Sequence, residues 1–140
     1  MPTSTRIRLA LALPALLVLA GCGEDRLPVE GKVLLDGEPL RFGSVMFQPP
    51  AGQPSRAEIK ADGTFTLQSP EGEPGASPGR NLVRITCYTT QDPQARQKAA
   101  ETNREMPLGQ SLIPMRYTDF GTSGLVVDVE PYMPPVELNL

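Results

Sequence analysis

From residue 28 onward, short runs in which apolar and polar residues alternate are separated by Pro- and Gly-rich turns. In the first run Val29, Val33 and Leu35 share one face with Gly31, and Glu30 and Lys32 lie on the other. A two-residue period is typical of strands with one buried face, and many short strands with frequent turns favour a β-sandwich or barrel. The alternation predicts an all-β domain with strands at 29–35, 44–48, 57–60, 64–67, 81–88, 125–129 and 136–140.

The strongest turn signal is Asp62-Gly63, which lies between two alternating runs, 57–60 and 64–67. Asp-Gly in this setting is typical of a tight β-hairpin. Asp36-Gly37 ends the first strand in the same way, and Glu38-Pro39 is predicted to continue that turn.

One polar insertion, residues 89–112, interrupts the strand pattern. Asp92 before Pro93 is a typical helix start, with Asp as the N-cap and Pro at the first helical position. We therefore expect a short exposed helix over 94–106, although a stretch this polar buries little and is compatible with partial disorder.

The N-terminus has the three parts of a secretory signal. Arg6 and Arg8 precede an uncharged apolar run from Leu9 to Gly21, which contains Pro14. A membrane-spanning helix needs about 20 apolar residues, so this run predicts a signal-peptide core rather than a permanent span. Residues 1–21 are therefore predicted to be removed.

The run ends in Leu19-Ala20-Gly21-Cys22, which resembles the lipobox of bacterial lipoproteins. The resemblance implies cleavage before Cys22, a diacylglycerol on its thiol and usually a further acyl chain on the new amine. An ordinary secretory signal with a chance cysteine is the alternative. Because one acyl chain binds a membrane only marginally, two or three chains would be needed to hold the protein. We expect residues 22–27 to form a short tether and residues 28–140 one domain.

Charge and composition narrow the partners and the chemistry. The chain has 13 Lys and Arg against 16 Asp and Glu, and without Arg6 and Arg8 the balance is −5. Such an acidic domain is a poor candidate for binding nucleic acid. The chain has no His, which removes the commonest general base and the usual zinc ligand.

The remaining candidates for chemistry are few. Cys87 is in phase with Val83 and Ile85, so we expect a buried thiol, with a nucleophile or an interchain disulfide as the alternatives. The acidic positions suit turns or solvated loops better than calcium, so no metal and no cofactor is expected. These positions are Asp62, Glu71, Glu73 and Asp119. Exposed rings could bind sugar or be ordinary surface. The three tyrosines considered for this role are Tyr88, Tyr117 and Tyr132.

Several motifs carry a family resemblance. VEGKVLLDGEPLRFGSVMFQP, followed by ADGTFTL and ASPGRNLVRIT, resembles carboxypeptidase regulatory-like (transthyretin-like) domains. The ending IPMRYTDFGTSGLVVDVEPYMPPVELNL resembles small planctomycete lipoproteins, with Arg116 where Lys is usual and Asp119-Phe120 where Asp-Pro is usual. The resemblance implies a seven-stranded Greek-key sandwich of the prealbumin type. The histidines and final Tyr-Arg-Gly-Ser of the hydroxyisourate-hydrolysing branch are absent from this sequence.

These features together predict a non-enzymatic binding or structural module at the cell envelope. The predicted location is a membrane surface facing the periplasm or exterior, through lipid on Cys22. An envelope protein or a polysaccharide is the expected partner. The alternatives are an accessory domain that assists a separate hydrolase, and an enzyme of unknown type.

Overall fold

The computed structural model describes residues 25–106 and 109–140, so the predicted signal peptide (1–21) and Cys22 lie outside the described residues. The described chain is mostly β. Its strands are β1 (Glu30–Leu35), β2 (Glu38–Pro39), β3 (Ser44–Gln48), β4 (Ser55–Glu58), β5 (Thr64–Thr66), β6 (Gly79–Thr86), β7 (Leu125–Val129) and β8 (Val136–Asn139). One α-helix, α1 (Pro93–Thr102), and two 3₁₀ turns, Thr89–Gln91 and Met115–Thr118, lie between β6 and β7.

The strands form two four-stranded sheets. In the first sheet, β1 is antiparallel to both β2 and β5 and parallel to β8. The second has the order β4-β3-β6-β7 and is antiparallel throughout. The inward faces of the two sheets enclose one apolar core, as in a β-sandwich.

Phe47 of β3 and Phe65 of β5 join the two sheets at the centre of the core. Both rings are at least 99% buried, and their centroids are 6.3 Å apart at a tilt of 55°. Gly31 makes room for this packing, because a Cβ there would lie 2.6 Å from the Phe65 ring. Within the described residues, the other apolar side chains with at most 2% exposure are Val29, Val33, Val45, Leu67, Ala76, Val83, Ile85, Cys87 and Val129.

The structure has eight strands in its described residues rather than the predicted seven. The additional strand is β2, because Asp36 (φ 51°) and Gly37 (φ 83°) form a two-residue turn that returns the chain beside β1. Pro39 then pairs with Leu34. Positive φ at both central residues is typical of hairpin turns, so Glu38-Pro39 extends a ladder instead of prolonging a turn.

The Asp62-Gly63 turn forms, but the two strands that it joins belong to different sheets. Next to the turn, Lys60 N donates a 2.9 Å hydrogen bond to Thr64 O, and further along the chain Arg56 and Gln68 form an isolated antiparallel bridge. Between these two contacts the strands on either side of the turn separate, since β4 pairs with β3 and β5 pairs with β1. The prediction of a simple hairpin is thus correct at the turn and wrong for the ladder.

Helix α1 begins as predicted, with Asp92 as the N-cap and Pro93 as its first residue. The Asp92 carboxylate accepts a 2.9 Å hydrogen bond from Gln94 N. The helix ends at Thr102, earlier than the predicted 106, because Asn103 adopts a left-handed conformation with φ 48°. No residue of α1 is buried, so the helix adds almost nothing to the core.

Candidate functional site

The chain joins the folded body within five residues of Cys22. Leu27 and Ala76 exchange two backbone hydrogen bonds, of 2.9 and 3.0 Å. The approach is so close that a Cβ on Gly75 would lie 2.2 Å from the Leu27 carbonyl oxygen. Arg26 donates a 2.8 Å hydrogen bond from Nη1 to the buried Ser55 hydroxyl, and its Nε lies 4.0 Å from a Glu73 oxygen. Residues from Arg26 onward are therefore part of the body and not of a free tether.

This attachment gives the sandwich a defined near end and far end. The near end holds the attachment and the loops that adjoin it along the strands, which are 49–54, 67–78 and 130–135. The far end holds the segment 36–43, which includes β2, the loop 59–63 and the described residues of 87–124, which include α1. The cleft walls agree with this division, because Asp25, Pro49 and Ser77 line one depression while Phe42, Ala61 and Pro93 line another.

The far end carries two clefts beside α1. One is a mostly apolar cleft of about 260 Å³ between the helix and the 3₁₀ turn at 89–91. Its walls are Thr89, Thr90, Ala95, Lys98, Ala99, Thr102, Arg104, Glu105 and Met106. The other, of about 440 Å³, is lined by Arg41, Phe42, Ala61, Asp92, Pro93 and Gln94. Ligand sites usually have volumes of about 300–1,000 Å³. The second cleft lies within this range, and the first, slightly below it, has room for a single side chain of a partner.

Apolar side chains are also exposed at this end. Leu112 is 47% and Met115 65% exposed. Sequence reasoning missed both, because they lie between the predicted helix and β7 in a stretch without periodicity. Together with the clefts they make the far end the best candidate surface for binding a partner.

The three tyrosines do not form a common platform. Tyr117 is only 6% exposed and enters the core from the second 3₁₀ turn, where its hydroxyl accepts a 2.5 Å hydrogen bond from Arg116. Tyr88 is half-buried at the far end, whereas Tyr132 is fully exposed at the near end. The expectation of an exposed ring is therefore wrong for Tyr117, and the three rings do not lie together.

The prediction of a buried thiol at Cys87 is confirmed. Cys87 is 1% exposed. Burial, with a further contribution from the negative charge of Asp92, raises the pKa of the thiol to about 11. A nucleophilic cysteine needs a lowered pKa and access to solvent, and this site provides neither.

Two of the four acidic candidates for metal binding, Asp62 and Asp119, are used locally in turns, and a third, Glu73, lies 4.0 Å from Arg26. The Asp62 carboxylate accepts hydrogen bonds from the Thr64 hydroxyl (2.6 Å) and amide (3.0 Å), and these bonds lower its pKa. Asp119 accepts a 2.7 Å hydrogen bond from Gly121 N. Within residues 25–106 and 109–140, no three His, Cys, Asp or Glu side chains are grouped as a metal site would require.

Comparisons with known proteins add no relative: no family model, no curated protein and no solved structure matches the chain. Across the part of the chain that the structure describes, no helix has the length and apolar character needed to cross a membrane.

Proposed function

We propose that the protein is a lipid-anchored, non-catalytic binding or structural module of the cell envelope, facing the periplasm or exterior. Lipid on Cys22 would hold it, and the far end would contact an envelope protein or polysaccharide. The observation that carries this proposal is the docking of Arg26 and Leu27 at one end of the sandwich. Four residues extended from Cys22 span at most about 15 Å, so an anchor there would keep the near end at the bilayer and display α1 away from it.

The strand order supports a fold of the prealbumin type within this proposal. The order β5-β1-β8 opposes β4-β3-β6-β7, and β8 runs parallel to β1. Setting aside the two-residue β2, seven strands remain, which is the number implied by the resemblance to carboxypeptidase regulatory-like domains. A sandwich of this kind hosts many functions, so the fold alone does not identify the function, and the surface of the far end supports a binding role.

The character of α1 favours binding over a purely structural role for the insertion. A ten-residue helix with no buried residue is not explained by core packing, because most helix stability in proteins comes from an apolar face that packs on the body. Its exposed surface, the adjacent cleft and the exposed Met115 are all at the end that a partner could reach.

Photocrosslinking in intact cells tests the proposal. A photoreactive side chain at Gln97 of α1 should capture a defined envelope partner, whereas one at Glu71 of the near end should not. Both side chains are exposed, so Glu71 is a matched control for Gln97. Failure to capture protein or glycan from Gln97, or equal capture from Glu71, would contradict a binding role for the far end.

The anchor is tested separately by mass spectrometry of the protein extracted from membranes. We expect an N-terminal Cys22 with acyl chains. An unmodified thiol at Cys22, or a chain that still begins at Met1, would contradict the anchor.

If the partner captured by photocrosslinking at Gln97 is a hydrolase, the alternative of an accessory domain that assists a separate hydrolase is favoured.

A further inference from the structure

The near end displays one aromatic side chain that the fold does not use. Tyr132 is fully exposed, with a relative accessibility of 105%, and its backbone is left-handed with φ 61°. For a bulky residue this conformation is a genuine outlier. The loop around it, Glu-Pro-Tyr-Met-Pro-Pro, contains three prolines that restrict its backbone. The chain thus holds a phenol ring in solvent in an unfavourable conformation and gains no packing in return.

The strand registers place this loop at the end where the chain approaches Cys22. Val129, just before the loop, pairs with Gly79, and Val136, just after it, pairs with Gly31. Gly31 is four residues from Leu27, the point at which the chain joins the body. Tyr132 and the attachment therefore lie at the same end of the sandwich. They lie at opposite edges of it, because the Tyr132 loop joins β7 to β8 whereas the attachment contacts β4 and the segment after β5.

We propose that Tyr132 contacts the headgroup layer of the bilayer that carries the Cys22 lipid. This inference rests on the proposed lipid anchor. A tether of at most about 15 Å allows the near end to reach the surface. Tyrosine has an apolar ring and a polar hydroxyl, and such side chains are enriched where membrane meets water. Pro50 and Ala51, which are exposed on the neighbouring 49–54 loop, would lie against the same surface.

The charges of the near end select the kind of bilayer. The cations at this end are Arg26 and Arg80, and the exposed carboxylates are Asp25, Glu30, Glu71, Glu73, Asp128 and Glu130. The Arg26 Nε lies 4.0 Å from a Glu73 carboxylate oxygen, and Arg80 lies opposite Asp128 in the register of β6 and β7. Because unbalanced negative charge is repelled by anionic lipid within a Debye length, the contact favours a zwitterionic surface.

A single tryptophan can report the contact, since the chain has none of its own. The lipidated Tyr132→Trp protein is placed in phosphatidylcholine vesicles whose acyl chains are brominated near the headgroup. Met115→Trp is the matched control, because Met115 is also exposed and apolar but lies at the far end. We expect bromolipid quenching to be several-fold greater for Tyr132→Trp than for Met115→Trp. The difference should shrink when anionic lipid is mixed in.

The possible results separate the two proposals. If both variants float with the vesicles but are quenched equally, the anchor stands and the contact of Tyr132 with the headgroups is wrong. If quenching is stronger on anionic vesicles, the charge argument is wrong. If neither variant floats with the vesicles, and a Cys22→Ser control also does not float, the proposed lipid anchor is wrong. The contact of Tyr132 with the headgroups, which rests on that anchor, is then wrong as well.

Discussion

The Arg26 guanidinium and the Ser55 hydroxyl form a 2.8 Å hydrogen bond that ties the start of the folded chain to the start of β4. Ser55 is 1% exposed and the Arg26 side chain 8%, so both polar groups are removed from water. A buried polar group left without its partner costs about 1–3 kcal/mol. The bond is therefore both an attachment and a source of stability.

Arg26→Met should lower the free energy of unfolding by about 1–3 kcal/mol, because the Ser55 hydroxyl loses its donor. Urea denaturation of a soluble Cys22→Ser protein measures this change. Ser55→Ala provides the matched half of a double-mutant cycle, in which the double variant should lose less than the sum of the two single losses. Strict additivity would show that the two groups do not interact.

Gly75→Ala should destabilise the protein more than Gly72→Ala. Both glycines have positive φ, 100° and 89°, so both substitutions carry the strain of a left-handed alanine, about 1–2 kcal/mol. Only at Gly75 does the new Cβ meet the Leu27 carbonyl, whereas at Gly72 nothing lies within 4 Å. Thermal unfolding of the two variants compares them directly, and equal losses would contradict the close approach of Leu27 to Gly75.

Stability should fall as the pH rises from about 9 towards 11, because of Cys87. Burial raises the pKa of the thiol to about 11 in the folded protein, from 9.0 in the unfolded chain. Below pH 9 the thiol is protonated in both states and stability is not affected. Between about pH 9 and 11 the thiol loses its proton in the unfolded chain but not in the folded protein, which favours unfolding. A two-unit shift corresponds to a loss on the order of 2–3 kcal/mol. Denaturation at several pH values should show this slope in the Cys22→Ser protein and not in a Cys22→Ser/Cys87→Ala variant.

Asp92→Ala should unfold α1 without changing the global unfolding transition. Loss of an N-cap costs a helix about 1 kcal/mol, and a helix with no buried residue has little packing to offset the loss. Far-UV circular dichroism should lose helical signal while the urea midpoint stays the same. Asp119→Ala, which removes a turn cap outside the helix, serves as the control. A lower midpoint in Asp92→Ala alone would show that α1 supports the core.

Tyr132→Asn should leave the free energy of unfolding unchanged or raise it by up to about 1 kcal/mol, because Asn tolerates positive φ better than Tyr. The ring is fully exposed, so its removal takes away no core packing. Chemical denaturation in the absence of membranes gives the value. A clear loss of stability would mean that Tyr132 has a structural role and would remove the main reason for assigning it to the membrane.

Alternation predicted which residues face the core but not which strands pair. The run 125–129 matches β7, and Val33, Phe47 and Ile85 are buried as expected. The two-residue period shows which side of a strand faces the core, but it carries no information about which strand pairs with it in the sheet. The separation of β4 and β5 into different sheets, and the parallel pairing of β1 with β8, depend on long-range contacts that no local pattern encodes.

The site residues were harder to predict than the core. Asp92 could be assigned as an N-cap because its chemistry is local to the helix that follows. Tyr117, in contrast, is buried from a four-residue 3₁₀ turn, which is too short to show periodicity. The attachment of Arg26 to Ser55 joins residues 29 positions apart, so neither residue carries a local signal of it.

The parallel pairing of β8 with β1 also has a consequence for how the chain matures. Gly31 meets Val136, a residue 105 positions later, so this side of β1 has no strand beside it until nearly all of the domain is present. Pairing over such a separation is entropically costly and slows folding. If the chain crosses a membrane N-terminus first, as its predicted signal implies, β1 emerges with an open hydrogen-bonding edge, and the sandwich can close only after translocation has delivered the last strand.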